Sequence, residues 1–191
     1  MPRPRPARPR PPALRTARAA LSALAVVLLT LPAAACGDGA GPDDLESQFM
    51  AVVEGGDLAS LGGLAVHRVE AVPGTAGAER GFTIRLIDDE VSGELRLQRR
   101  VTDRPGVGSH VIVPLEDLES PADFRGDLRY VAGGVLQQLE VRSGIVRVTA
   151  SRGEQIEGTL EVRARREGDG QQVYLTATFV SRPYDEVVAG L

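Results

Sequence analysis

Carboxylates, two histidines and a single cysteine are the side chains of this chain with the clearest chemical potential. The carboxylates cluster: Asp88, Asp89 and Glu90 are consecutive, and Glu116, Asp117, Glu119, Asp123 and Asp127 follow closely on one another. Oxygen ligands of this kind suit calcium, whose dedicated loops alternate them around a forced turn with Asn or Gly in step. Neither run alternates in that way. Asp88, Asp89, Glu90, Glu116, Asp117 and Asp123 are therefore weak calcium candidates, and solvated turns are the simpler expectation in a chain with 26 acidic residues. His67, within Ala65-Val66-His67-Arg68-Val69, is expected as a strand residue facing outward or at an edge. Ser109 and His110 are adjacent, but neighbours on a strand point to opposite faces, so they cannot form a nucleophile–base pair. The two histidines have no cysteine partner and no zinc spacing. A glycosidase carboxylate pair would draw its members from distant strands. Sugar clefts usually present aromatic platforms, and the chain has no Trp and three tyrosines, of which Tyr174 and Tyr184 could form a small one. Arg99, Arg100, Arg163, Arg165 and Arg166 make two basic strand ends, expected to bridge neighbouring carboxylates; the alternative is an anion- or partner-binding patch. No catalytic residue, cofactor or metal is assigned.

Cys36 is different, because its surroundings carry a pattern. Six arginines and no acidic residue precede an apolar run from Ala19 to Ala35, which Pro32 interrupts before Ala33-Ala34-Ala35-Cys36. These are the charged, apolar and small-residue regions of a secretory signal. The apolar run is 17 residues long, short of the ~20 that a relaxed membrane-spanning helix needs. Leu31-Pro32-Ala33-Ala34-Ala35-Cys36 resembles the lipobox of bacterial lipoprotein precursors, with Ala33 where that family usually carries Leu. The resemblance implies cleavage before Cys36 and acylation of that cysteine, which anchors the chain to a membrane. Ala33-Ala34-Ala35 also fits an ordinary A-x-A cleavage site, whose product is a secreted or periplasmic soluble protein. In enteric lipoproteins an aspartate directly after the cysteine retains the protein in the inner membrane; here Gly37 holds that place, which favours the outer membrane. Residues 1–35 are thus expected as signal peptide, 36–45 as lipidated cysteine and flexible tether, and 46–191 as the folded domain.

Removal of residues 1–35 leaves 156 residues, enough for one domain with its own core. Every basic residue of the chain is an arginine, and Lys, Asn and Trp are absent, which points to a GC-rich bacterial genome. The mature chain carries 16 arginines against 26 acidic residues, a net charge of −10. Such a surface repels phosphate backbones, so nucleic acid is excluded as an expected partner. With one cysteine there is no intramolecular disulfide, and the core must hold by packing alone.

The elements that would position these residues are strands. Phe82, Ile84 and Leu86 alternate with polar neighbours, as do Leu95 and Leu97, and Asp88-Asp89-Glu90 between them reads as a hairpin turn. Further strands are expected at 47–55, 64–72, 109–115, 126–132, 136–142, 144–151, 154–166 and 171–182, with one short helical turn near 114–119. If Arg166 pairs with Gln171 across the turn Glu167-Gly168-Asp169-Gly170, then Ala164 faces Val173, Val162 faces Leu175, Leu160 faces Ala177 and Gly158 faces Phe179. An aromatic over a strand glycine is a known sheet device. Eight to ten short antiparallel strands predict an all-β domain, a β-sandwich or alternatively a barrel. Gly144-Ile145-Val146-Arg147-Val148 and Ile156-Glu157-Gly158-Thr159-Leu160 resemble the closing strands of uncharacterised bacterial β-sandwich lipoproteins. The expected function is a non-catalytic, lipid-anchored extracytoplasmic binding or envelope-structural module, with the membrane and a protein of the envelope as partners. A glycan- or ester-acting hydrolase and a calcium-dependent adhesion domain are the alternatives.

Overall fold

Alternation of apolar and polar residues at a period of two is carried, among the described residues, through nine strands: β1 (Gln48–Glu54), β2 (Ser60–Ala71), β3 (Arg80–Asp88), β4 (Gly93–Gln98), β5 (Gly108–Ile112), β6 (Arg125–Ala132), β7 (Val135–Arg152), β8 (Gln155–Arg166) and β9 (Gln172–Pro183). The computed structural model describes residues 47–73, 79–117 and 120–185. Cys36, the expected signal and tether, and Glu119 lie outside the described residues.

Eight of the strands form a ring in the order β1–β2–β3–β4–β6–β7–β8–β9, antiparallel at each step and closed by β9 on β1. Of the two all-β arrangements expected, the barrel is the one formed. The reason is β1: all seven of its residues pair with β9, from Gln48↔Val180 to Glu54↔Tyr174, while its other edge pairs with β2. Closure leaves no edge within the ring. Beyond the start of β1, β2 and β9 meet directly in parallel at Val66↔Arg182 and His67↔Pro183.

The hairpin β8–β9 has the register read from its turn, including Ala164↔Val173, Leu160↔Ala177 and Gly158↔Phe179. A Cβ on Gly158 would lie 3.0 Å from the Phe179 ring and 2.4 Å from the Arg147 carbonyl oxygen, so only glycine fits. β7 departs from the expectation of two strands. It runs continuously for 18 residues, with register shifts against β8 at Val141/Ser143 and Val148/Ala150. Such bulges bend a strand without ending it. The first half of β7 can then pair with β6 and the second half with β5, which lies outside the ring. Near 114–119 the described part is a single turn, with Asp117 N–H donating to Pro114 O at 3.1 Å.

The inward side chains, among them Phe49, Phe82, Ile84, Leu95, Leu128, Leu160 and Phe179, meet in one core. Eight strands enclose a space just wide enough for side chains to fill. The charged residues alternate to the outside, where Arg85 meets Glu94 at 2.5 Å and Arg129 meets Asp127 at 2.7 Å. This is the reverse of a membrane-spanning barrel, whose outer band is apolar. Among the described residues no helix is long and apolar enough to cross a membrane.

Candidate functional site

On the outer face of β4 and β6 three pairs stand opposite one another: Glu94 with Arg129, Arg96 with Asp127, and Gln98 with Arg125. β7 continues the surface with Glu140 opposite Asp127 and Gln138 opposite Arg129. The segment after β5 lies over β7, because Leu115 N–H donates to Glu140 Oε1 at 3.4 Å and Arg142 binds Glu116. Together these elements wall a groove of about 1000 Å³.

Three of the four carboxylates of this groove are engaged by arginines. Asp127 holds Arg129, Glu140 holds Arg142 at 2.8 Å, and Glu116 shares Arg142. Burial pushes the Asp127 carboxyl above its ordinary range, against the attraction of Arg129 and Arg96, and Glu94 adds to the rise. Glu140 is turned toward Arg142 and the Leu115 backbone, so Asp127 and Glu140 do not converge on one point despite being Cα partners. A hydrolytic pair needs two carboxylates aimed at one bond.

The arginines of the groove are less evenly matched. Arg96 Nη2 is ion-paired with Glu70 Oε1 at 2.5 Å, and Glu70 also binds Arg68 at 2.7 Å. Burial pushes Glu70 up, but hydrogen bonds and charge from Arg68 and Arg96 outweigh it and hold the carboxyl below its ordinary range. Arg96 Nε is buried and has no hydrogen-bond partner among the described residues. Arg125 is only 8% exposed, and its Nη2 likewise has none. Burial lowers the proton affinity of Arg125, as does the charge of Arg100 and Arg96, with Glu79 opposing. Glu79 itself is committed to Arg100 at 2.8 Å.

A second polar cluster sits inside the barrel. His67 lies at an inward position of β2 and is buried, contrary to the expectation of an outward or edge residue. Its ring packs 5.4 Å from Phe82, and its Nδ1 shares a 2.6 Å hydrogen bond with Ser181 Oγ on β9. The inward face of β2 is set by its pairing with β3, where His67 stands opposite Ile84. Burial, and secondarily the charge of Arg104, lowers the His67 pKa to about 4. An imidazole so reluctant to take a proton is a poor general base, and Ser181 is wholly enclosed. This pair is an element of the core.

Of the calcium candidates, Glu116 is paired with Arg142 and Asp88 has backbone partners. Asp88 accepts from the N–H groups of Glu90 and Val91 through Oδ1 and of Gly62 through Oδ2, fixing the β3–β4 turn against β2. Asp89 and Glu90 are exposed on that turn, and Asp117 is exposed while Asp123 is half-buried. Among the described residues no three His, Cys, Asp or Glu side chains gather to hold a metal ion. Ser109 and His110 stand side by side on β5, the His110 ring against Phe124 with centroids 6.1 Å apart. Of the basic strand ends, Arg100 and Arg166 do bind carboxylates, Glu79 and Asp169. Arg99 lies over the Phe124 ring at 5.5 Å and Arg163 over Tyr174 at 5.0 Å. Tyr184 stacks on Arg68 instead, at 4.8 Å. Arg96 and Arg125, which the sequence reading did not single out, are the residues brought together. They stand 29 positions apart in the chain and meet only through the β4–β6 pairing, where Gln98, not an acid, faces Arg125.

No protein-family model matches the chain, and comparison with curated proteins and with solved structures also gives no match.

Proposed function

We propose that this chain is a lipid-anchored, extracytoplasmic binding module of a bacterial envelope that acts without catalysis. The observation that carries the reading is the groove of about 1000 Å³ on the outer wall of the barrel. The interior is taken up by the core, so a ligand has to be met on the outside, and the groove there combines charged and apolar walls. Three of its four carboxylates are paired with arginines, an arrangement suited to holding a partner in register. The lipobox-like stretch ending at Cys36 supports the anchor: two or three acyl chains there make attachment durable. Fully extended, the chain between Cys36 and Ser47 reaches roughly 40 Å, so the barrel can present the groove away from the bilayer. The partner is envelope material of matching polarity, and the acidic net charge disfavours nucleic acid.

The test is the intact mass of the mature protein purified from membranes, together with fractionation of Cys36→Ser. Lipidation predicts a mature chain beginning at Cys36 with the added mass of acyl groups, and loss of the serine variant from the membrane fraction. An unmodified Cys36 thiol at the mature N-terminus would overturn the anchor.

A further inference from the structure

Among the described residues, the groove contains one buried cation that has no partner. Arg125 has lost nearly all contact with water, and Gln98 stands opposite it where an acid would otherwise do so. The neighbouring acids are committed elsewhere: Glu79 to Arg100, Glu70 to Arg68 and Arg96, and Asp127 to Arg129. Gln98 is held by its Nε2, which donates to Ala71 O at 3.2 Å, and Arg125 Nη2 finds no acceptor on it. A guanidinium donor buried without an acceptor costs free energy, so such a group is retained where something completes it.

Arg96 supplies the second half of the arrangement. On the face shared by β4 and β6 it is the diagonal neighbour of Arg125, a separation of roughly 7–8 Å between backbones that long side chains span. Its Nη2 is fixed on Glu70, which leaves Nε as the buried donor without a partner. Arg96 and Arg125 therefore both line the groove, each with one unfilled donor buried in its wall, Arg96 Nε and Arg125 Nη2. A carboxylate has two oxygens, one for each donor, and its charge strengthens hydrogen bonds from guanidinium.

The charge around the pair selects among anions. Asp127, Glu116, Glu140 and Glu167 also line the groove. They repel a dianion or a polyanion and tolerate a single negative charge that is itself matched by two arginines. We propose that Arg96 and Arg125 form a subsite for the carboxylate of a singly charged ligand, such as a peptide C-terminus or an acidic sugar. The proposal deepens the binding-module reading and rests on it for the groove's role, but not on the lipid anchor.

The experiment uses the full mature chain in detergent micelles. Side-chain N–H resonances of Arg96 and Arg125 are followed while sodium acetate is added at constant ionic strength, with chloride and inorganic phosphate in parallel. A saturable shift at both arginines with acetate, and none with chloride, is the expected result. Arg125→Gln weakens the apparent acetate affinity by about tenfold, the loss of one charge-assisted hydrogen bond. The variant melts no lower than the parent, since the cation it removes has no partner among the described residues; Arg96→Gln supplies a second, independent loss of response. Tighter binding of N-acetylglycine than of acetate assigns the carboxylate to a peptide end, and tighter binding of glucuronate to a sugar. The absence of a saturable shift, equal shifts with chloride, a stronger response to phosphate, or an unchanged affinity in Arg125→Gln would each overturn the subsite. An anchored chain without acetate response removes the subsite alone, and an acetate response in a chain with unmodified Cys36 removes the anchor alone.

Discussion

Acidification should loosen this barrel through one side chain, His67. Its imidazole is enclosed between Phe82 and Ser181 with the positive charge of Arg104 nearby, and its pKa is lowered to about 4. In the unfolded chain the same group titrates near its ordinary 6.5. Between those values the unfolded state takes up a proton that the folded state refuses, so the stability His67 permits is complete above about pH 6.5 and falls as pH drops toward 4. Every tenfold loss of proton affinity on folding corresponds to about 1.4 kcal/mol, which makes the total loss on the order of 3 kcal/mol. Below pH 4 both states carry the proton and His67 contributes no further slope. The assay is urea unfolding of the mature chain at successive pH values from 7 to 4, beside the double variant His67→Phe/Ser181→Ala. The double change replaces both members of the hydrogen bond, so neither is left buried without a partner. Carboxylates titrate in both proteins and contribute equally to each profile. The parent is expected to lose about 3 kcal/mol more than the variant over that range. Superimposable profiles would refute the account of His67 as an enclosed neutral imidazole.

Two further outcomes follow from particular contacts. Asp88→Ala removes the acceptor for three backbone N–H groups and should cost about 3 kcal/mol in chemical denaturation; an unchanged midpoint would mean that water replaces the carboxylate without loss. Gly158→Ala places a methyl group against the Phe179 ring and the Arg147 carbonyl, and should lower stability by about 2 kcal/mol, read as a drop in melting temperature.

What could be read in the sequence was whatever depends on neighbours along the chain. The β8–β9 register followed from a four-residue turn and two strands with clean alternation, because a slip of one residue would expose Leu160 and Phe179. The β3–β4 hairpin followed in the same way. His67 was not legible, since both faces of its segment carry apolar residues: Ala65 and Val69 on one side and the fully buried Val66 on the other. Only the pairing with β3 decides which face turns inward. β7 was read as two strands because its bulges break the alternation that marks one. Closure into a barrel was equally hidden, as it depends on which strand β1 meets on its second edge. The arginine pair of the groove depends on the β4–β6 pairing, which spans the whole excursion through β5, so residue spacing carries almost no trace of it.

The bonding of β1 to β9 also has a consequence for how the barrel comes into being. The first strand of the ring has its second partner only when the last strand has been made, so the sheet cannot close on a partial chain. Loop-closure entropy of this kind slows folding, since distant segments must meet before their contacts stabilise anything. A nascent chain lacking β9 holds β1 and β8 with one edge each unsatisfied, and such edges bind chaperones or one another. Ring closure therefore acts as a check on completeness: the barrel commits to its final form at the moment its last strand arrives, and shorter products remain open and easily degraded.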